Sequence, residues 1–416
     1  MRKLGVALIG HAFMGQVHSQ AWRAERRLSR AALAEQIEVN PQTVGALERG
    51  DHYPSLDLAF RICAVFDLPV EPDLLLLCGR NRESVQRANR KLGWRETTDD
   101  WREVLTREDI QVVDICTPGD THAEIAIEAL RAGKHVLCEK PMANSVAEAE
   151  RMAEAAQQAR QHGIQSMIGF NYRRTPALAL ARSLLAQGRL GTVRQVRAAY
   201  LQDWLAPADA PLTWRLQASR AGSGALGDLG AHLVDLTQYL LGAQITEVSG
   251  MLHTFVSERP LPDDPGATGQ VTVDDMAAFT ARFDTGAVGV FEATRYATGR
   301  KNGLRVEVNG SRGSLGFDFE SMNELQFYDA AEDTGTAGFR RILVTEPQHP
   351  YLQAWYPPGH VLGYEHTFVH QVRDFVLAVC GEAEPNPDFS SGLQVQRVLA
   401  AVQHSAHQYS RWLPID

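Results

Sequence analysis

The chain has 416 residues, a length that predicts two or three domains. Hydrophobic residues make up 44% and charged residues 22% of it, as is typical of a globular protein, and the net charge of −9 argues against a general polyanion binder. No apolar run reaches about 18 residues and the N-terminus lacks the apolar core of a signal peptide, so we expect a cytoplasmic protein without membrane contact.

The five cysteines form no C-x-x-C pair and lie mostly in apolar runs. This distribution favours buried free thiols over disulfides or metal ligands, and we expect no metal site. The cysteines are Cys63, Cys78, Cys116, Cys138 and Cys380.

The N-terminus has the pattern of a strand, a glycine turn and a helix. Residues 6–9 form an apolar run typical of a buried strand, and residues 18–24 have a helical pattern. The G-x-A-x-x-G turn between them predicts a dinucleotide site, because the free N–H groups of the helix would face a pyrophosphate. A glycine turn without a ligand is the alternative. The residues expected to contact the cofactor here are Gly10, Ala12, Phe13, Met14 and Gly15.

A surplus segment separates this turn from the second strand of the sheet. The strand at 74–78 ends more than sixty residues after Gly15, where such folds need about 20. The surplus predicts a small all-helical insert at 25–66, and residues 28–68 resemble the helix-turn-helix of phage repressors of the Cro/C1 type. Gln42 and Thr43 would then contact base edges in a major groove. A decorative insertion is the alternative, since surface loops tolerate extra length.

The tip of this second strand indicates which dinucleotide is bound. NAD sites usually place an acid there for the ribose 2′-hydroxyl, whereas an arginine suits a 2′-phosphate. Arg80 follows the strand directly and favours NADP over NAD. A solvated arginine is the alternative.

Strands and helices then alternate as far as residue 170. This alternation predicts an α/β Rossmann domain, a doubly wound parallel sheet, over residues 1–170 with the insert at 25–66. The predicted strands are 112–116, 135–138 and 165–170, and the predicted helices are 82–93, 123–132 and 145–162.

Residues 171–416 predict an α+β domain with a large, mostly antiparallel sheet. Its alternating runs are separated by turn residues, the segment 260–269 is expected to be a loop, and two closing helices are expected at 365–379 and 392–409. The predicted strands are 193–204, 246–256, 276–284, 288–295, 304–308, 314–319, 325–328 and 340–344.

Three residues carry the expected chemistry. Lys140 follows a strand of the parallel sheet, at the edge where ligands bind in such folds, although a surface lysine is the alternative. Asp228 and His232 are four residues apart and would share one face of a helix. A carboxylate beside an imidazole can orient it and raise its basicity, which predicts a general base with a pKa near neutrality. A core histidine with satisfied hydrogen bonds is the alternative.

The motifs together resemble one enzyme family. The glycine turn, Glu-Lys-Pro at 139–141 and D-x-G-x-H at 228–232 are similar to those of the Gfo/Idh/MocA oxidoreductases, which are NAD(P)-dependent. Within that family, the segments 171–181, 200–204 and 219–236 most resemble pyranoside dehydrogenases of the levoglucosan dehydrogenase type.

The resemblance implies a hydride transfer between nicotinamide and a secondary hydroxyl of a sugar, pyranoside or cyclitol, in a homo-oligomer (dimer or tetramer) joined through the open face of the second sheet. The alternative is a DNA-binding regulator whose dehydrogenase-like body senses the cofactor or the sugar. The implied catalytic residues are Lys140, Asp228 and His232. The residues implied at the nicotinamide end are Thr117, Pro118, His122, Glu139 and Lys140, with Gly119 where relatives often have asparagine. Those implied at the sugar are Tyr172, Gln202, Trp204, Trp214 and Arg215.

Overall fold

A computed structural model describes residues 2–24 and 70–416 of the chain. The predicted helix-turn-helix insert at 25–66, with Gln42 and Thr43, lies outside these residues.

The first sheet has six parallel strands in the order β3-β2-β1-β4-β5-β6, which confirms the predicted doubly wound architecture. The edge strand β3 was not predicted, because three residues are too few to show an alternating pattern. The strands are β1 (Arg2–Ile9), β2 (Val70–Cys78), β3 (Glu96–Thr98), β4 (Val112–Ile115), β5 (His135–Cys138) and β6 (Ser166–Ile168).

Helices cover both faces of this sheet. Val6 and Leu8 of β1 join the core on one face, and Ala7 and Ile9 join the core on the other, as the alternation of side chains along a strand requires. The helices are α1 (Phe13–Ala24), α2 (Arg82–Leu92), α3 (Arg102–Thr106), α4 (His122–Arg131) and α5 (Val146–Arg160).

The second sheet has nine strands in the order β16-β15-β14-β13-β7-β12-β11-β8-β17. Only the pair β7 and β12 is parallel among its described pairings, so the expected mostly antiparallel sheet is confirmed. Its strands are β7 (Val193–Leu201), β8 (Ile245–His253), β11 (Met276–Phe283), β12 (Val288–Thr294), β13 (Gly303–Gly310), β14 (Gly313–Asp318), β15 (Glu324–Asp329), β16 (Arg340–Leu343) and β17 (Leu413–Pro414).

The expectation of a loop at 260–269 was wrong. This segment belongs to an antiparallel hairpin of β9 (Glu258–Leu261) and β10 (Asp264–Gln270). Pro262 and Asp263 form its two-residue connection, and the proline and glycine content that suggested a loop is tolerated because the hairpin has only two strands and both are edges.

The remaining helices pack on both sheets. One face of the second sheet is covered, with α10 against β8, whereas Val288 and Val290 on the other face are exposed. Helix α9, predicted within 171–416, packs on α1 and supplies Phe368 and Phe375 to the core beneath β1. The helices are α6 (Pro176–Ala186), α7 (Ala218–Ala221), α8 (Ala231–Leu241), α9 (Glu365–Val379) and α10 (Phe389–His407).

The cysteines within the described chain are free thiols, as predicted. Cys78, Cys116 and Cys138 are buried and Cys380 is partly buried, whereas Cys63 lies outside the described residues. Among residues 2–24 and 70–416, no helix combines the length and the apolar character that crossing a bilayer would need.

Candidate active site

The glycine turn has the geometry that the sequence predicts. Gly10 has a φ of +103°, and a Cβ at this residue would lie 2.6 Å from the carbonyl group of Cys116. A Cβ at Gly15 would lie 1.9 Å from the carbonyl oxygen of Gly10, so the helix can approach the turn only with glycine there. Helix α1 begins at Phe13, and the N–H groups of its first turn have no partner within the helix. This leaves a cradle of backbone donors where a pyrophosphate would bind.

The tip of β2 lies beside this turn. The ring of His11 covers Gly79, since a Cβ there would lie 2.3 Å from Nδ1, and its Nε2 is 2.9 Å from the hydroxyl of Ser84. Burial, assisted by the charge of Arg87, lowers the pKa of His11. Arg80 is exposed and forms no ion pair within the described part of the chain.

The side chain of His122 connects the turn after β4 to the turn after β5. The ring of His122 is 2.9 Å from the carbonyl oxygen of Thr117 through Nε2 and 2.9 Å from that of Pro141 through Nδ1. The hydroxyl of Thr117 accepts a hydrogen bond of 2.7 Å from Thr121, and Pro118 and Gly119 complete the turn. His122 is 1% exposed, so it holds two loops of backbone together.

The turn after β4 also contacts Asn144, which follows the Glu-Lys-Pro segment. A Cβ at Gly119 would lie 2.7 Å from the side-chain oxygen of Asn144, and the amide nitrogen of Asn144 donates to the carbonyl oxygen of Arg220 at 2.9 Å. Asn144 therefore occupies the space that a larger residue at position 119 would need.

Lys140 joins the first sheet to the second half of the chain. Its Nζ donates to the main-chain oxygen of Asp228 at 2.8 Å and to the Asp228 carboxylate at 3.0 Å. Burial opposes the charge of this carboxylate, but Lys140 and then Arg295 hold the pKa of Asp228 at about 2. The pair is therefore an ion pair at neutral pH, in a site where the side chains are 14% and 30% exposed.

His232 lies in the first turn of α8, within a ring of aromatic side chains. The ring centroids of Tyr172, Phe170 and Tyr200 lie 4.8, 5.8 and 6.0 Å from its own, each ring roughly edge-on. Neither of its ring nitrogens has a hydrogen-bond partner among residues 2–24 and 70–416. One nitrogen is therefore free to meet a ligand.

Two expectations about Asp228 and His232 were wrong. Asp228 lies in a π-helical turn (Leu226–Gly230) instead of an α-helix, and its carboxylate bonds to Lys140 instead of to the imidazole. The pKa of His232 is not near neutrality. Burial first and Lys140 second lower it well below its ordinary value, and the opposing effect of Asp228 is smaller. His232 is consequently a neutral imidazole at pH 7.

Asp274 positions the π-helical turn, and sequence patterns did not single it out. Its carboxylate accepts the N–H groups of Gly224 and Leu226 at 2.7 Å each, and its carbonyl oxygen accepts that of Ala225 at 3.0 Å. A Cβ at Gly224 would lie 1.7 Å from the Asp274 carbonyl oxygen, which explains the glycine. The glycine-rich segment is thus held against the connection that precedes β11.

Four polar side chains form a connected cluster next to His232. The hydroxyls of Tyr172 and Tyr200 are 2.5 Å apart, and Tyr200 donates to the side-chain oxygen of Asn302 at 2.7 Å. Gln202 donates to the same oxygen at 2.9 Å. Tyr172 and Gln202 were predicted here, whereas Tyr200 and Asn302 were missed. Asn302 lies about one hundred residues from its partners in the sequence, so only strand pairing could have found it.

Of the predicted tryptophans, Trp204 contacts this cluster, and the predicted Arg215 acts on Asp228. Trp204, 43% exposed, donates its indole N–H to Gln202 at 3.0 Å and lies 5.5 Å from the guanidinium of Arg295. Trp214 stacks with Arg215 at 4.5 Å, and both Arg215 and Arg295 act on the charge of Asp228. Three cationic side chains, those of Lys140, Arg295 and Arg215, therefore lower the pKa of the Asp228 carboxyl.

Comparison with known proteins agrees with this arrangement. Residues 4–166 match the model of the "Oxidoreductase family, NAD-binding Rossmann fold", and residues 178–316 match the "GFO/IDH/MocA C-terminal domain". Levoglucosan dehydrogenase of Pseudarthrobacter phenanthrenivorans is 36% identical over 427 aligned positions, covering 100% of this chain and 99% of that protein. The shared sequence therefore extends through both halves of the chain.

Two solved structures are similar over their whole length. An oxidoreductase domain protein from Kribbella flavida is 58% identical with a TM-score of 0.88, covering 100% of both chains. Levoglucosan dehydrogenase in complex with NADH and levoglucosan is 37% identical with a TM-score of 0.85, again covering 100% of both chains. This chain is an enzyme and belongs to the Gfo/Idh/MocA family of oxidoreductases.

Proposed function

We propose that this enzyme transfers a hydride between a secondary hydroxyl of a sugar, pyranoside or cyclitol and a nicotinamide dinucleotide. The observation that carries the proposal is the contact of Lys140, from the parallel sheet, with Asp228, one helical turn before the unengaged imidazole of His232. The relatives support the substrate class, because they include a levoglucosan dehydrogenase and two inositol dehydrogenases.

The proposed chemistry assigns one task to each residue. A neutral His232 accepts the hydroxyl proton at its free ring nitrogen. The ammonium of Lys140 stabilises the negative charge that develops on the same oxygen, and does so as a preorganised charge in a largely buried site. Asp228 orients the ammonium of Lys140 through the 3.0 Å ion pair.

The residues of the first sheet fit a bound dinucleotide. The cradle at Gly10 and Gly15, where a Cβ would collide with the backbone, supports pyrophosphate binding. When bound, the nicotinamide supplies the hydride acceptor. Levoglucosan dehydrogenase binds NADH in its solved complex, which supports NAD(H) here. The preference for NADP stays a prediction from Arg80.

Arg80 gives this prediction a direct test. We expect Arg80→Ala to weaken NADPH binding at least about tenfold, as expected for the loss of a charged hydrogen bond, and to leave NADH binding nearly unchanged. Fluorescence titration with both dinucleotides measures the ratio. Equal effects on the two cofactors would contradict a role for Arg80 at the 2′-phosphate.

The cluster around Tyr172 supports recognition of a hydroxylated ring. Tyrosine hydroxyls and the amides of Gln202 and Asn302 are mutually hydrogen-bonded, so their orientation is set before a ligand arrives. Trp204 adds an aromatic face beside them. Such a set suits the alternating polar edges and apolar faces of a sugar.

The decisive experiment is a substrate screen with two variants. Sugars and cyclitols, including levoglucosan and the inositols, are tested with NAD and with NADP by the absorbance of the reduced cofactor. We expect Lys140→Met and His232→Ala each to lower turnover of the best substrate by about 10²- to 10⁴-fold. NADH binding should be retained in both. Turnover like that of the wild type in either variant would refute the mechanism.

We also propose that two copies associate through the open face of the second sheet. Val288 and Val290 are 46% and 47% exposed there, side by side with the groove between Arg197 and Arg305. Light scattering should show a dimer or tetramer. Val290→Glu should dissociate it, whereas the matched control Val361→Glu, at a valine that is 60% exposed outside this sheet, should not.

The regulator hypothesis rests on residues 25–66 alone. A mobility-shift assay at about 100 mM salt, with Gln42→Ala as control, tests it. Sequence-preferring binding that is lost in Gln42→Ala would support a second function of the chain.

A further inference from the structure

A buried histidine bridges two carboxylates, one of which belongs to the residue that precedes Lys140. His18 of α1 has its Nδ1 2.9 and 3.0 Å from the two carboxylate oxygens of Asp114 in β4. Its Nε2 is 2.8 Å from a carboxylate oxygen of Glu139, the residue before Lys140. The exposed fractions are 0% for His18 and Asp114 and 3% for Glu139. The three side chains form a continuous line from the core to the proposed catalytic lysine.

The protonation state of this histidine follows from hydrogen-bond geometry. A neutral imidazole carries an N–H on one ring nitrogen and a lone pair on the other. The nitrogen with the lone pair would then lie less than 3.1 Å from a carboxylate oxygen with no hydrogen between them. Only the imidazolium can donate from both nitrogens. Each carboxylate also accepts a second donor, Asp114 from the indole N–H of Trp22 at 2.7 Å and Glu139 from the backbone N–H of Lys140 at 3.2 Å, so both act as acceptors.

The surroundings support a permanent charge. Burial opposes the imidazolium, but the charge of the Asp114 carboxylate and its hydrogen bond to the ring outweigh burial and hold the pKa of His18 well above its ordinary value. Burial raises the pKa of the Cys116 thiol, so that group stays neutral. Helix α9 packs the apolar ring of Phe368 on His18, with centroids 5.5 Å apart. Asp114 and Glu139 are therefore the groups that compensate the charge.

This bridge holds the backbone of Lys140 in place. One oxygen of Glu139 accepts from His18 while the other accepts the N–H of Lys140, and a Cβ at Gly169 would lie 2.6 Å from the first, so the carboxylate has little room to turn. On the other side, His122 contacts the carbonyl oxygen of Pro141. The first turn of α1 also supplies N–H groups of the pyrophosphate cradle. One helix therefore positions both the cradle and, through His18 and Glu139, the backbone of Lys140.

We propose that His18 is a permanent imidazolium that positions Lys140 through Glu139, and that Glu139 is a positioning residue whose carboxylate serves His18 and not the cofactor. The importance of Lys140 rests on the proposed function, whereas the charge of His18 does not. The two parts are therefore tested separately.

The charge is tested by nuclear magnetic resonance on the whole enzyme with ¹⁵N-labelled histidine. We expect both ring nitrogens of His18 to carry protons throughout the range from about pH 6 to about pH 9, well above the ordinary pKa of histidine. His135 is an internal control, because its Nδ1 accepts the N–H of Gln165 and burial lowers its pKa to about 4. A neutral tautomer of His18 anywhere in this range would overturn the proposal.

Two variants are used to assign the His18 signal, so that the assignment is still possible if one of them does not fold. His18→Gln removes the signal, and Glu139→Gln shifts it while leaving an oxygen that can accept from Nε2. Persistence of both ring N–H signals in Glu139→Gln is expected, since Asp114 remains.

Positioning is tested by separating turnover from cofactor binding. We expect Glu139→Ala to lower kcat at least tenfold with the Kd of NADH changed less than threefold, and Glu139→Gln to recover most of the lost turnover. A raised Kd for NADH with kcat preserved would instead indicate a direct cofactor contact and overturn the assignment. If Lys140→Met itself has normal turnover, the proposed mechanism fails, yet the resonance experiment still decides the charge of His18.

Discussion

The opposed effects of Lys140 and Asp228 on His232 give a sharp prediction about pH. Lys140 lowers the pKa of His232 and Asp228 raises it, while burial lowers it most of all. Replacing Lys140 by methionine removes the positive charge that lowers the pKa of His232. The Asp228 carboxylate, which loses its ion-pair partner, still raises that pKa. The acid limb of kcat/KM in alcohol oxidation should therefore move to higher pH, because His232 must be neutral to accept a proton.

The size of the shift follows from Coulomb's law. At the separation of about 6 Å typical of side chains one helical turn apart, two unit charges interact by roughly 2.8 kcal/mol at an effective dielectric constant of about 20. Since one pKa unit corresponds to about 1.4 kcal/mol, we expect the pKa of His232 to rise by about one to two units in Lys140→Met. Turnover should also fall by about 10²- to 10⁴-fold, because a preorganised charge at a developing oxyanion is lost.

The assay is the pH dependence of kcat/KM at saturating cofactor between about pH 5 and about pH 9. Lys140→Arg retains the charge and should keep the acid limb near that of the wild type. Asp228→Asn should move the limb in the opposite direction to Lys140→Met. If the limb lies at the same pH in Lys140→Met and Lys140→Arg, the assigned coupling between Lys140 and His232 is wrong.

Four further outcomes are expected. Gly15→Ala should weaken NADH binding at least about tenfold in a fluorescence titration, because its Cβ would lie 1.9 Å from a carbonyl oxygen of the turn; an unchanged Kd would contradict the cradle. Asn302→Leu should raise the KM for the sugar about 5- to 30-fold with kcat nearly retained, since it removes hydrogen bonds worth about 1–2 kcal/mol; a loss confined to kcat would argue against substrate recognition. The buried carboxylate of Asp235 accepts two hydrogen bonds from the guanidinium of Arg173. Asp235→Ala leaves that buried guanidinium without its counter-charge and should lower the free energy of unfolding in urea by about 3–5 kcal/mol, whereas a loss below about 1 kcal/mol would show that the ion pair contributes little. His18 keeps its proton in the folded protein above about pH 6.5, where the unfolded chain releases it, so the free energy of unfolding should fall with rising pH by up to about 1.4 kcal/mol per unit up to the folded pKa; His18→Gln should lack this component, and equal slopes would refute it.

Local patterns in the sequence predicted most elements of the fold. The alternation of β1 and the turn at Gly10 need only neighbouring residues, because strand faces repeat every two residues and a positive φ selects glycine locally. The strand at 135–138 was predicted with its observed bounds, and so was the helix at 365–379. The hairpin at 258–270 was missed because its composition is that of a loop and its pairing extends over only a few residues.

The site was also predicted only in part, because local motifs identify residues but not the contacts between them. Lys140, Asp228 and His232 stand in short motifs, and each could be singled out without knowledge of the fold. Their contacts could not, because a spacing of four residues suggested a bond between Asp228 and His232, whereas the π-helical turn and Lys140 give the carboxylate a different partner.

The topology of the sheets determined the contacts in the site that local sequence patterns could not predict. Strands β7 and β12 are parallel and both end at the edge where the antiparallel β13 begins, so Tyr200, Arg295 and Asn302 meet there although they are far apart in the chain. The charge of His18 likewise depends on two carboxylates from different strands, 96 and 121 residues away. Sequence by itself determined which residues could do chemistry, through local periodicity and motif. Only the tertiary structure determined their partners, and hence their protonation, because pKa values depend on burial and on charges brought close by the fold.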